Sequence, residues 1–315
     1  MHLKLALEWT PNTLHAGILL AEAQGYYRNA DLQMDIISPA DDHYAVTPAK
    51  KLADKKVHLA ITPSESVISF NMREDPVPLR AIAANLQQDT SAIVTLESSG
   101  IERPSQMDGR HFASYNARFE NDIVRQMVKN DGGQGALVIS NPSMLSMWDN
   151  LIAEKADATW VFLPWEGVKA KHEHQSLAYN AFQLGDFQVP YGYSPLLVSH
   201  QDFIEGKQDA LKAFVQATEK GWRDVHEKPE KAAQLLQKFV DQPEMKDIDF
   251  VLDSLHMIQP ALLTKDGRWG YMKEQRWTDF VSWLVSHQIL KNEAGVPYHH
   301  NEIEPSQLYT NIFFA

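Results

Sequence analysis

The chain has no cysteine, which removes disulfides, thiolate metal sites, thiol nucleophiles and a lipid-bearing cysteine from consideration. No apolar run approaches the roughly 20 residues that span a bilayer as a helix. Positive charge is scarce: 29 Lys and Arg stand against 41 Asp and Glu, a net charge of −12, so no nucleic-acid partner is expected, because phosphate contacts need clustered cations. The 15 glycines form no phosphate-cradling loop, so a nucleotide is not indicated. No G-x-S-x-G elbow occurs, and Ser64 in Thr-Pro-Ser-Glu-Ser lacks the flanking glycines of one. The 13 histidines include His172 with His174 and the adjacent His299 and His300, but no i, i+4 pair of the helical zinc type, and no metal is expected. Glu8, Glu65, Glu120 and Glu166 are candidate carboxylates for acid–base work, yet no spacing brings two of them together. Nothing in the residues demands catalysis.

What is present suits a two-lobed protein. The 315 residues exceed one typical domain, and 44% hydrophobic with 22% charged residues can build sizeable cores. Eight Trp, ten Tyr and thirteen Phe exceed what cores require and can line a pocket for a flat ligand. Met1-His2 leads straight into the first strand, which fits either a cytoplasmic chain or an exported one trimmed of its leader.

The stretch around which the rest is organised lies at the start. Residues 3–7 alternate as a short strand. Pro11, Asn12 and Thr13 break it and supply helix-capping side chains; a helix over 18–27 follows. The carboxyl edge of an open α/β sheet is where ligands bind, and this loop offers Trp9, Asn12, Thr13 and His15 there. A second strand over 32–37, a polar loop at 39–43, a helix over 47–56 and a strand over 57–61 complete a βαβαβ order, which implies parallel strands. Ser64 and Glu65 then sit on the same edge and are expected to cap a helix over 67–72.

Strands over 79–84 and 91–96 are joined by polar residues 85–90, read as a crossing between lobes. A strand over 111–114, the turn Tyr115-Asn116-Ala117-Arg118-Phe119 and a helix over 120–130 repeat the opening design; free N–H groups at that helix start suit polar ligand atoms. Further strands at 136–140 and 156–163 alternate with helices at 143–154 and 166–174. The segment 184–195, with two Tyr and two Pro, reads as a second crossing. The expected lobes are therefore 1–88 with 195–315, and 89–194. Helices over 207–226, 229–239, 247–257 and 273–287 pad the first lobe, with Met257 and Trp277 expected in its core.

The run Glu8-Trp9-Thr10-Pro11-Asn12-Thr13 to Gly25-Tyr26-Tyr27 closely resembles the opening of one family: the pyrimidine-binding branch of ABC-transporter substrate-binding proteins, related to the fungal enzyme that makes the pyrimidine of thiamine. Lys56-Val57-His58-Leu59-Ala60-Ile61, Ala156-Asp157-Ala158-Thr159-Trp160 with Trp165-Glu166, Arg276-Trp277 to Trp283-Leu284, and Tyr309-Thr310-Asn311-Ile312-Phe313 extend the resemblance over nearly the whole chain. It implies a type II periplasmic-binding-protein fold, with two α/β lobes, two hinge crossings and a ligand cleft between the lobes. It further implies a non-enzymatic monomer that holds a thiamine pyrimidine precursor, works in the periplasm with an ABC permease as partner, and needs no cofactor. On this reading Trp9 stacks on the ring; Asn12, His15 and Ser64 supply first-lobe polar contacts; Tyr115, Asn116 and Glu120 supply those of the second-lobe turn; and Trp160, Tyr191 and Tyr193 wall the cleft.

Two alternatives stay open. The enzyme branch carries a Lys after the third strand, to which pyridoxal phosphate attaches, and a His four residues on; this chain has Thr62 and Ser66 there, so the Schiff-base amine is missing. A binder of another small organic ligand, such as a sulfonate, would need Arg or several N–H donors, and only Arg118 is well placed.

Overall fold

The computed structural model describes residues 1–173 and 177–314; His174 lies outside them. The chain divides into two compact units, residues 1–89, 192–277 and 304–315 in unit 1 and residues 90–191 and 278–303 in unit 2. The sequence boundaries set all of 195–315 in the first lobe, whereas 278–303 packs with unit 2.

In chain order the elements begin with β1 (His2–Ala6), α1 (Ala16–Ala23), β2 (Gln33–Ile37), α2 (Pro48–Ala53), β3 (Leu59–Thr62), α3 (Ser64–Asn71) and β4 (Leu79–Ala84). Unit 2 then supplies β5 (Ser91–Leu96), β6 (His111–Ala113), α4 (Glu120–Asn130), β7 (Val138–Ser140), α5 (Met147–Ile152), β8 (Ala158–Phe162), α6 (Val168–Glu173) and β9 (Tyr179–Phe182). The chain returns with β10 (Leu196–His200), α7 (Gln201–Gly206), α8 (Gln208–Glu227), α9 (Pro229–Phe239), α10 (Ile248–Ile258) and α11 (Glu274–Ser286).

The sheet of unit 1 has the order β2-β1-β3-β10-β4. β1 pairs in parallel with β2 and with β3, as the βαβαβ reading requires, and β10 runs antiparallel to both β3 and β4. β4 therefore points the same way as β1 to β3, and the carboxyl ends of four strands meet the amino end of β10 at one edge. The sheet of unit 2 repeats this plan in the order β7-β6-β8-β5-β9, with β5 as the antiparallel strand. In each sheet the reversed strand is the one that arrives from the other unit. Its entry point thus joins the edge where the βα turns gather, which is the edge that binds ligands in open α/β sheets.

The unit 1 core centres on α1 against α8. Eight buried positions on α8, from Leu211 to Val225, form one apolar stripe. Gly17 and Gly221 let the two backbones touch: a Cβ on Gly221 would lie 1.9 Å from the Gly17 carbonyl oxygen. Trp222 and Trp269, both fully buried, stack with centroids 6.5 Å apart. In unit 2, Trp148 and Leu151 of α5 pack on Ala92, Val94 and Val161 of the sheet. Among the described residues no helix is long and apolar enough to cross a membrane.

Local differences from the sequence reading have local causes. Ser64 and Glu65 do not cap the third helix; they form its first turn, and the extended Pro63 before them holds the N-cap position with no side-chain cap. The expected helix at 143–154 shortens to α5 after a 3₁₀ turn at Met144–Ser146. A π-helical turn at Leu163–Gly167 precedes α6. β9 was not expected; it is an edge strand with only Phe182 buried, so it shows no apolar period. Met257 is 44% exposed rather than core, because α10 buries Phe250, Val251, Ser254, Leu255 and Ile258 and leaves Met257 at the margin of that stripe. Trp277 is fully buried, stacked at 5.7 Å on Tyr309.

Candidate functional site

At the carboxyl edge of the unit 1 sheet, β1 continues through Leu7, whose N–H still donates to the Ile37 carbonyl at 3.0 Å. Glu8 and Trp9 then leave the sheet. Asn12 caps the 3₁₀ turn Thr13–His15: its Oδ1 accepts from the Leu14 N–H at 2.8 Å, and the Asn12 N–H donates to His15 Nδ1 at 3.2 Å. Since Nδ1 accepts, the ring hydrogen sits on Nε2, which donates to Glu8 Oε2 at 3.1 Å. The Thr13 hydroxyl is 2.6 Å from that of Ser254 on α10. Each of these bonds fixes the loop on which Trp9 stands, so the indole is presented from a rigid base.

Asn12 and His15 thus spend Oδ1 and both ring nitrogens inside the turn. Their place at the edge matches the sequence reading, but those atoms build the loop. Ser64 is fully buried at the start of α3; its N–H donates to the Tyr193 carbonyl at 3.0 Å and its hydroxyl to Glu65 at 3.1 Å. Tyr193 is also enclosed, with its hydroxyl accepting from the Lys273 N–H at 2.9 Å and its ring 4.2 Å beneath the Arg276 guanidinium. These partners belong to the unit 1 interior.

A residue the sequence reading missed stands beside Trp9. Tyr44 meets the indole edge-on at 5.7 Å. It sits in the loop after β2, where His43 and Tyr44 both take left-handed backbone angles, with φ of 54° and 60°. That conformation is uncommon for such side chains and turns the loop toward β1. An aromatic in a polar loop after a strand was the only sequence signal for it.

In unit 2 the turn after β6 is organised by one carboxylate. Glu120, at the first position of α4 and 3% exposed, accepts from the Ser114 hydroxyl at 2.9 Å, the Tyr115 N–H at 3.1 Å and the Ala117 N–H at 3.0 Å. Burial nevertheless holds its carboxyl above the usual carboxylate range. Asn116 is exposed, with φ of 56°, and its N–H donates to Ser114. Tyr115 packs on the buried Ala113, Met147 and Ala156. Trp160 on β8 lies 5.4 Å from Tyr191, which meets Phe280 edge-on at 5.4 Å. Arg118 is exposed and lies over the Phe119 ring at 5.1 Å. The site residues therefore fall into two sets, Trp9, Asn12, His15, Ser64 and Tyr193 in unit 1 and Tyr115, Asn116, Glu120, Trp160 and Tyr191 in unit 2.

Glu166, in the π-helical turn after β8, accepts from the Phe162 N–H at 3.1 Å. Burial pushes its carboxyl up to about 7, against the Phe162 N–H and the Lys169 charge, which favour ionisation. A carboxyl raised in the folded state contributes stability that is complete below its ordinary 4.5 and is lost as pH rises through about 7. Discounted for the side chain's partial exposure, unit 2 is expected to lose about 2 kcal/mol between those two pH values. Denaturant unfolding at a series of pH values checks this: Glu166→Gln should flatten most of the slope, and an unchanged slope would refute the assignment.

Comparison with known proteins agrees with this architecture. Residues 12–232 match the family described as NMT1/THI5 like. The chain is 23% identical over 290 residues to the formylaminopyrimidine-binding protein of Halalkalibacterium halodurans, covering 91% of this chain and 86% of that one. It is also 23% identical over 233 residues to the 4-amino-5-hydroxymethyl-2-methylpyrimidine phosphate synthase of Legionella pneumophila, covering 74% and 72% of the two chains. The alkanesulfonate-binding protein of Xanthomonas axonopodis pv. citri, solved with MOPS bound, superposes with a TM-score of 0.69 at 10% identity, over 92% of this chain and 94% of that one. The fold is that of the type II periplasmic binding proteins, and the chain belongs to the NMT1/THI5-like family.

Proposed function

We propose that the protein is a solute-binding protein that captures a thiamine pyrimidine precursor, of the hydroxymethylpyrimidine or formylaminopyrimidine type, outside the cytoplasmic membrane and delivers it to an ABC permease. Capture by hinge motion belongs to the same proposal. The observation that carries it is Trp9, held at the carboxyl edge of the unit 1 sheet on a turn pinned by Asn12, His15 and Thr13 and flanked edge-on by Tyr44. A flat heteroaromatic ring stacks well on such an indole. The relative named for formylaminopyrimidine binding matches along most of both chains, which supports the same ligand class.

We propose in addition that the protein is not a synthase. Thr62 ends β3 where the enzyme branch has its Schiff-base lysine, and it is buried at 3% exposure with a hydroxyl in place of an amine. Purified protein that gains a visible absorbance band on incubation with pyridoxal phosphate would count against this.

Calorimetric titration with hydroxymethylpyrimidine, formylaminopyrimidine, thiamine and MOPS tests the main proposal. Saturable binding of one pyrimidine is expected, and Trp9→Ala should weaken it by about tenfold or more, or about 1.4 kcal/mol. Heat with MOPS alone, or with none of the four, would defeat the pyrimidine assignment.

A further inference from the structure

Immediately after β4 the chain runs through Asn85, Leu86 and Gln87 at the same carboxyl edge of unit 1 as the Trp9 turn and the start of α3. The main chain of Asn85 and Gln87 is engaged on both its N–H and its carbonyl. The Asn85 N–H donates to the Pro195 carbonyl at 3.0 Å, and its carbonyl accepts from Trp269 Nε1 at 3.2 Å. The Gln87 N–H donates to the Ala261 carbonyl at 2.6 Å, and its carbonyl accepts from the Arg276 guanidinium at 2.6 Å. Four bonds to three other segments hold the strap in place.

Its side chains are in the opposite condition. Asn85 is fully buried, yet neither Oδ1 nor Nδ2 has a hydrogen-bond partner among the described residues, and buried Nε2 of Gln87 lacks one as well. Four other polar side chains of this edge do have partners: Asn12 with Leu14, Thr13 with Ser254, His15 with Glu8 and Ser64 with Glu65. A buried amide with no partner is costly, and such groups in a native protein call for an explanation. A rigid main chain that carries unpartnered amides is the arrangement expected of a reader whose complement is supplied by ligand.

We infer that Asn85, assisted by Gln87, reads the hydrogen-bonding edge of the ligand and so sets its specificity. A primary amide places a donor beside an acceptor. The matching partner is a ring nitrogen next to an exocyclic amine, the edge that Asn and Gln grip bidentately on adenine. A 4-aminopyrimidine presents that edge, and a ring without the amine leaves the amide oxygen unpaired. The inference rests on the pyrimidine reading above and adds to it a specific residue and a specific ligand edge.

The test titrates the wild type, Asn85→Leu and Gln87→Met with 4-amino-5-hydroxymethyl-2-methylpyrimidine and with its analogue lacking the amine. The wild type should prefer the amino compound by at least about tenfold, since a buried amide rejects a partner that cannot pair with it. Asn85→Leu, of similar volume, should bind the amino compound about tenfold more weakly and lose most of the preference. Its melting temperature should hold or rise, because two unpartnered polar atoms are removed. Gln87→Met should lose part of the preference and carries the test if Asn85→Leu does not fold. Wild-type affinity and wild-type preference in both variants would overturn the inference while leaving the pyrimidine reading intact. A wild type that binds neither compound would defeat that reading itself.

Discussion

Gly221→Ala is expected to destabilise unit 1 by about 3 kcal/mol and to lower its unfolding midpoint by roughly 6–12 °C. The sign is opposite to helix propensity, which favours Ala over Gly by about 1 kcal/mol inside a helix such as α8. Packing overrides propensity because the added Cβ would fall 1.9 Å from the Gly17 carbonyl oxygen and 3.0 Å from the Ala21 nitrogen, both backbone atoms of α1. No side chain can swing aside to make room, so the two helices must separate. Gly17 is constrained from the other side, since a Cβ there would lie 2.2 Å from the Trp222 ring. Gly206→Ala is the control: its Cβ would meet nothing within 4 Å, and a change within about 0.5 kcal/mol is expected. Thermal unfolding of the two variants decides the matter. If Gly221→Ala melts with the wild type, α1 and α8 do not approach as described. Because α1 follows directly on the Trp9 turn, the same variant should also bind ligand more weakly.

The parallel half of unit 1 was legible because its signals are local. Strand alternation, the breakers Pro11 and Asn12 and the apolar run from Ile18 to Ala21 are each readable within a few residues of chain. The helix Glu120–Asn130 was read to the residue because Ile123, Val124, Met127 and Val128 mark one face and all are buried. What could not be read depends on partners far away in sequence. β9 is an edge strand with little apolar surface to bury. Residues 278–303 join unit 2 through contacts that their own periodicity does not encode. At the site, the residue types at Asn12, His15 and Ser64 suggested polar contacts to ligand, but type alone does not say where a hydrogen bond goes. The structure sends theirs to neighbours at most seven residues away, or to Tyr193. Asn85 is the reverse case: unremarkable in sequence, it is distinguished only by what the fold fails to pair with it.

Glu120→Ala is expected to cost unit 2 about 3 kcal/mol or more, measured by denaturant unfolding. The carboxylate receives one hydroxyl and two backbone N–H groups from the turn Ser114–Ala117, and removing it strands buried donors at about 1–3 kcal/mol each. Glu120→Gln should cost less, about 2 kcal/mol, since one oxygen remains while the new amide sets a donor against a donor. The pH response separates this role from simple packing. Burial raises the carboxyl in the folded state above its ordinary 4.5 and outweighs the three donors that favour ionisation. Its contribution is therefore complete below about 4.5 and declines as pH rises through the folded value. The penalty of Glu120→Gln should accordingly shrink as pH rises from that range toward neutrality. A penalty that grows instead would mean that the donors dominate burial and that the ionised carboxylate is the form the turn is built around. On the proposed binding role either outcome also bears on the second-lobe turn, because the Tyr115 and Asn116 N–H groups are held by the oxygens of Glu120 and Ser114.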